Sequence, residues 1–129
     1  MSKIYRNNGN NTFTEQTVIS LAGVSGSTGS WGDYDNDGNL DILLTGWTDH
    51  QISKIYHNNG DNSFSEETGI SLTGVNSGSG SWGDYDNDGY IDILLAGNGS
   101  ENRVAKIYRN NGNRTFSEQS DINLTGVNN

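Results

Sequence analysis

The sequence predicts an all-β fold: four-stranded antiparallel sheets stacked as β-propeller blades, about two and a half blades per chain. Three observations carry that prediction. A block KIYRNNGNNTF at residues 3–13 returns as KIYHNNGDNSF at 54–64 and as KIYRNNGNRTF at 106–116, 51 and then 52 residues apart. A second block, SWGDYDNDGNLDILLTG at 30–46, recurs as SWGDYDNDGYIDILLAG at 81–97, again 51 residues on. A self-similar period of this length marks stacked supersecondary units. Finally, Ile-Leu-Leu at 42–44 and at 93–95 is a continuous apolar run, the pattern of a strand covered on both faces, which a solitary sheet cannot provide but neighbouring sheets can.

Each period reads as four short strands. GSWGD at 29–33 leads into an acidic loop, LDILLTG at 40–46 follows it, SKIYH at 53–57 is third and SFSEET at 63–68 is fourth. The last two are joined through Asn59-Gly60, a dipeptide that tolerates positive φ and favours a tight hairpin; Asn8-Gly9 and Asn111-Gly112 repeat it. The Gly- and Ser-rich stretch 69–80 then crosses to the next unit. Helices are excluded by the shortness of the segments, their bounding glycines and their Ile, Thr and Tyr content. The predicted organisation is a partial blade at 1–29 (third and fourth strands with a crossover), a blade with an acidic loop at 30–80 and a second at 81–129.

Composition narrows the function classes. The 129 residues include no Cys and no Pro, and a mean hydropathy of −0.73 without a long apolar run excludes a helical membrane span. Without Cys there is no disulfide scaffold or cysteine zinc site, and no leader pattern is visible after Met1. Of the 16 acidic residues, eight lie in two short segments, and the other eight stand against 7 Lys and Arg. The net charge of −9 is therefore a concentrated one seeking a cation, and no basic patch exists to meet a nucleic acid.

The acidic segments have the form DxDxDGxxD. Asp33, Asp35 and Asp37 occupy positions 1, 3 and 5, Gly38 gives the sharp turn, Asn39 at position 7 would offer its backbone carbonyl, and Asp41 at position 9 closes the cage. Asp84, Asp86, Asp88, Tyr90 and Asp92, with Gly89, repeat the set. Hard oxygen ligands without His or Cys select Ca²⁺, about two ions per chain. An EF-hand is excluded because its twelfth position is Leu44 or Leu95, inside a strand pattern.

WGDYDNDGNLDILLTG followed by KIYHNNGDNSF resembles the FG-GAP or VCBS repeat, the blade of integrin-α-like β-propellers. The resemblance covers nearly the whole chain and implies a secreted or cell-surface setting and an adhesive role.

Trp31 and Trp82, at equivalent places, are expected to pack between blades, as are Tyr5, Tyr56 and Tyr108. Trp47 has Asn98 as its counterpart, so it is the candidate for stacking on a sugar. His50 and His57 are expected at the surface. No catalytic motif is present, and the expected activity is binding or assembly without catalysis. Two and a half blades leave apolar faces open at both ends, because a closed ring takes about four or more. The expected partner is therefore the chain itself, as a homo-oligomer, with no membrane insertion. The alternatives are a lectin-like module binding a glycan through its variable loops, or an excised or engineered propeller fragment with no ligand of its own.

Overall fold

The computed structural model describes residues 1–125, and every element among them is a strand. The strands are β1 (Tyr5–Asn7), β2 (Phe13–Glu15), β3 (Ser25–Gly32), β4 (Asp41–Trp47), β5 (Gln51–Asn58), β6 (Phe64–Glu66), β7 (Asn76–Gly83), β8 (Asp92–Asn98), β9 (Arg103–Asn110) and β10 (Phe116–Glu118). They form two antiparallel four-stranded meanders, β3-β4-β5-β6 and β7-β8-β9-β10, preceded by the hairpin β1-β2. Each complete blade thus keeps strictly sequential neighbours, and the hairpin is the outer half of a blade.

The first strand of each blade begins earlier than the sequence suggests. β3 and β7 start at Ser25 and Asn76, inside the stretch that reads as crossover, because a bulge lets the chain pair again beyond it. The bulge carries positive φ at Gly26 (51°) and Ser77 (48°). The Asn-Gly hairpins are also longer than a two-residue turn. Asn59 N–H bonds the Ser63 carbonyl at 3.0 Å, and a second left-handed residue follows Gly60 at Asn62 (φ 65°). Asp61 caps this turn by accepting from the Ser63 N–H and hydroxyl.

Blades pack face to face. Leu43 and Ile55 of the first blade meet Ile93, Leu95 and Tyr108 of the second in one buried cluster with Tyr34 and Val75. A smaller cluster of Ile42, Leu44 and Tyr56 is covered by Ile4, Leu21, Ala22 and Val24 from the hairpin segment. Alternate residues of Ile-Leu-Leu therefore serve opposite seams, as the unbroken apolar run requires. The approach is close: a Cβ on Gly80 would meet Thr45 Cγ2 at 2.8 Å, so only glycine fits there.

Repeat equivalents differ where a neighbour is missing. Trp82 stacks on Tyr34 of the preceding blade and tilts against Phe116, as an interblade residue should. Trp31 touches Phe64 but is 51% exposed, because the half-blade before it lacks the two inner strands that would carry a stacking Tyr. Tyr5 is likewise 53% exposed, while Tyr56 and Tyr108 are buried.

Candidate metal centre

Both acidic loops span the turn between the first and second strands of a blade, and they fold alike. The fourth position turns left-handed at Asn36 (φ 58°) and Asn87 (57°), and the sixth at Gly38 (89°) and Gly89 (90°). Asparagine tolerates that region better than other side-chain-bearing residues, so the turn rests on two residues rather than on glycine alone.

The loop's own N–H groups hold its carboxylates. Asp33 accepts from Asp37 N–H (3.1 Å) and Gly38 N–H (2.9 Å), and Asp84 accepts from Asp88 (3.1 Å) and Gly89 (3.0 Å). Asn39 and Tyr90, at position 7, donate their N–H groups to Asp37 and Asp88 at 2.7 and 2.9 Å. Asp41, fully buried, joins loop to sheet by accepting from Tyr34 N–H (3.2 Å) and Asn58 N–H (2.8 Å). Asp92 does the same with Tyr85 and Asn110 at 3.0 and 2.8 Å.

Three carboxylate-rich groups result. In the first loop Asp33, Asp35 and Asp37 offer ligand atoms within 4.8 Å of one another, as do Asp35, Asp41 and His57; in the second, Asp84, Asp86 and Asp92 do so. Asp88 stands outside the second trio, and Arg109 holds it and Asp86 in a fork, Nε to Asp86 at 2.6 Å and Nη2 to Asp88 at 2.8 Å. In the first loop Asp35 Oδ1 is buried with no hydrogen-bond partner, and its side chain is 10% exposed. A buried, unpartnered carboxylate oxygen fits a site that takes a cation.

The electrostatics agree. Burial pushes the Asp41 carboxyl above the usual carboxylate range, against its two N–H donors, and the Asp35 charge adds to the rise. Asp92 is raised in the same way, by burial first and then by the charges of Asp86 and Asp88. The Arg109 guanidinium lowers Asp86, and the Asn39 N–H lowers Asp37. Each loop thus gathers negative charge that its own structure does not fully compensate.

Three basic residues at this site escape sequence reasoning. His57, expected at the surface, is 14% exposed, with Nδ1 3.2 Å from Asp41 Oδ1 and 3.5 Å from Asp35 Oδ2. Arg109 is its equivalent one repeat later. Arg114 reaches across the seam from the second blade, placing Nε 3.7 Å from Asp35 Oδ2 and bonding Glu67. For His57 and Arg109 the available signal was the one varying residue inside the otherwise constant KIYxNNG block; Arg114 lies just beyond it. The loops also touch one another, Asn36 Nδ2 donating to the Gly89 carbonyl at 3.1 Å.

Trp47 lies apart from this site. It ends β4, pairs with Gln51 and is 40% exposed beside the turn of His50, whose Nδ1 lies 2.6 Å from Asp49.

A family model described as an FG-GAP-like repeat matches residues 1–44, 33–95 and 84–129, the whole chain in three overlapping spans. No curated protein and no solved structure matches it.

Proposed function

Because the chain belongs to the FG-GAP-like repeat family, we propose that it is a calcium-binding, non-catalytic propeller repeat protein that works outside the cell or at its surface. Its role is binding and assembly, beginning with other copies of itself. No helix among the described residues is long and apolar enough to cross a membrane.

The observation that carries the calcium reading is the convergence, twice, of loop carboxylates beside a buried one, with Asp35 Oδ1 left unpartnered. In the first loop Asp33, Asp35, Asp37 and Asp41 would hold the ion, with the Asn39 carbonyl. In the second, Asp84, Asp86, Asp88 and Asp92 would do so with the Tyr90 carbonyl. Bound calcium supplies the positive charge that lets these carboxylates stay ionised together. Arg109 holds part of that charge in its absence, so binding at the second loop requires the Arg109 fork to open. Support for an extracellular setting comes from the family, since such loops need abundant calcium.

The deciding experiment is calorimetric titration of the chelator-stripped chain with calcium, paired with light scattering. The reading expects calcium to bind, with a measured mass above that of one chain. An absence of binding heat would remove the calcium assignment, and a single-chain mass in saturating calcium would remove self-association.

A further inference from the structure

Building on the self-association proposed above, we infer that copies join head to tail, the open face of the second blade seating on the outward face of the next copy's β1-β2 hairpin. The seam between the two complete blades supplies the template for the outer strands: several of its contacts there have counterparts at the two ends of the chain, whereas those made by β7 and β8, the Tyr34–Trp82 stack among them, have none in the two-stranded hairpin.

Within the seam, Tyr34 packs on Phe116 with ring centroids 5.9 Å apart. One repeat on from Tyr34 is Tyr85, 44% exposed; the hairpin's equivalent of Phe116 is Phe13, 63% exposed. Asn110 Nδ2 donates to the Tyr34 carbonyl at 2.7 Å, and the hairpin places Asn7 at the same point. Tyr108 Oη accepts the Thr73 N–H at 3.0 Å across the crossover. Its counterparts, Tyr5 and Thr125, are both exposed.

The open face is also shaped for a blade. It carries a pocket of about 280 Å³ lined in part by Tyr85, Leu94 and Ile107. Leu94 is 42% exposed where its equivalent Leu43, covered by a following blade, is 0%. Among these outer-strand contacts, one is weakened at the ends. Arg114 and Glu67 pair inside the chain, whereas their equivalents are Asn11 and Gln119. A contact between two different faces is heterologous, and it closes a ring or extends an open array according to its rotation.

Such a junction has a signature that a two-fold dimer lacks. Phe13→Asp removes only the head and Tyr85→Asp only the tail, so each variant alone fails to associate while an equimolar mixture forms one junction and stops. Both side chains are exposed, which leaves folding intact. The measurement is sedimentation velocity in calcium of the parent, each variant and the mixture.

The expected result is an associating parent, two monomeric variants and a two-chain species in the mixture. Single variants that associate like the parent, or a mixture that stays monomeric beside an associating parent, overturn the register and leave self-association standing. A parent that remains a single chain at every concentration overturns both. Restoring the missing pair with Asn11→Arg and Gln119→Glu is expected to tighten association up to about fivefold, in a salt-dependent way; no tightening would also count against this register.

Discussion

Tyr34 lies flat on Trp82 across the seam between the two complete blades, with ring centroids 6.1 Å apart and planes 7° from parallel. The pair fixes how one blade meets the next: the Tyr comes from the acidic loop of the earlier blade and the Trp from the first strand of the later one. Packing at the seam and geometry at the acidic loop are therefore set by the same residue. Tyr34 Oη also donates to Glu67 at 2.9 Å and accepts from Arg114 Nε at 3.3 Å, which ties the loop to both blades' outer strands.

Leucines of identical local sequence should differ in worth by their neighbours alone. Leu43→Ala empties a fully buried site and is expected to cost about 2–5 kcal/mol. Leu94→Ala, at the uncovered equivalent, is expected to cost less than about 1 kcal/mol. Chemical denaturation at a dilution where chains are single checks this, and equal costs would mean that the second blade's outer face is covered within the chain.

A hydrogen-bond contrast of the same kind separates Asn110 from Asn58. Asn110 Nδ2 bridges the carbonyls of Tyr34 and Ile91 at 2.7 and 3.0 Å, while Asn58 Nδ2 bonds only the Leu40 carbonyl at 3.0 Å. Asn110→Ala strands a buried carbonyl at the seam, so it should destabilise more than Asn58→Ala by about 1–3 kcal/mol. The difference in denaturation midpoints at constant slope reports it.

Most of this architecture is legible in the sequence because the repeat is nearly exact. The matched blocks give the strand order, the seam residues and both acidic loops. What they hide is whatever depends on position in the array: Tyr34 and Tyr85 read identically, yet one is buried and the other open. The bulged starts of β3 and β7 are hidden for another reason, since their Gly- and Ser-rich composition signals crossover while their pairing is decided by the neighbouring strand. His57 and Arg109 are missed because a single varying residue in a strand carries no sign of the loop it faces.

The two loops should bind calcium unequally, since Arg109 occupies Asp86 and Asp88 with a two-pronged contact. Arg109→Gln removes both the competing cation and its charge. The second loop's affinity is expected to rise roughly tenfold, about 1.4 kcal/mol, with the first loop little changed. Titration calorimetry of the variant reads the two sites, and an unchanged isotherm would show that the fork does not obstruct the loop.

Acid should help the calcium-free chain before it harms it. Asp41 and Asp92 have carboxyls raised by burial, so the stability linked to them is full below the unfolded value near 4 and is lost as pH climbs through their folded values. Lowering the pH from neutrality toward that unfolded value is expected to raise the melting temperature of the stripped chain. Asp37 and Asp86 are lowered and oppose this only at stronger acid, where their ionised forms are lost. Melts of dialysed, metal-free protein across that range would show a rise; a monotonic fall would mean that the buried carboxylates are already satisfied.

Removing calcium tests the centre as a whole. At about 100 times its dissociation constant a bound ion adds roughly 2.7 kcal/mol to the folded state, so two sites together would contribute about twice that. For a chain of this size such a loss corresponds to a drop in melting temperature on the order of ten degrees or more. Asp35→Asn keeps the side chain's size and removes the charge of the residue whose Oδ1 lacks a partner. That variant should have lost about half of the calcium-dependent rise while matching or exceeding the parent in chelator, where like-charge repulsion with Asp41 is relieved. A variant as calcium-responsive as the parent would place the ion away from Asp35. A variant weaker in chelator as well would make the residue structural rather than a ligand.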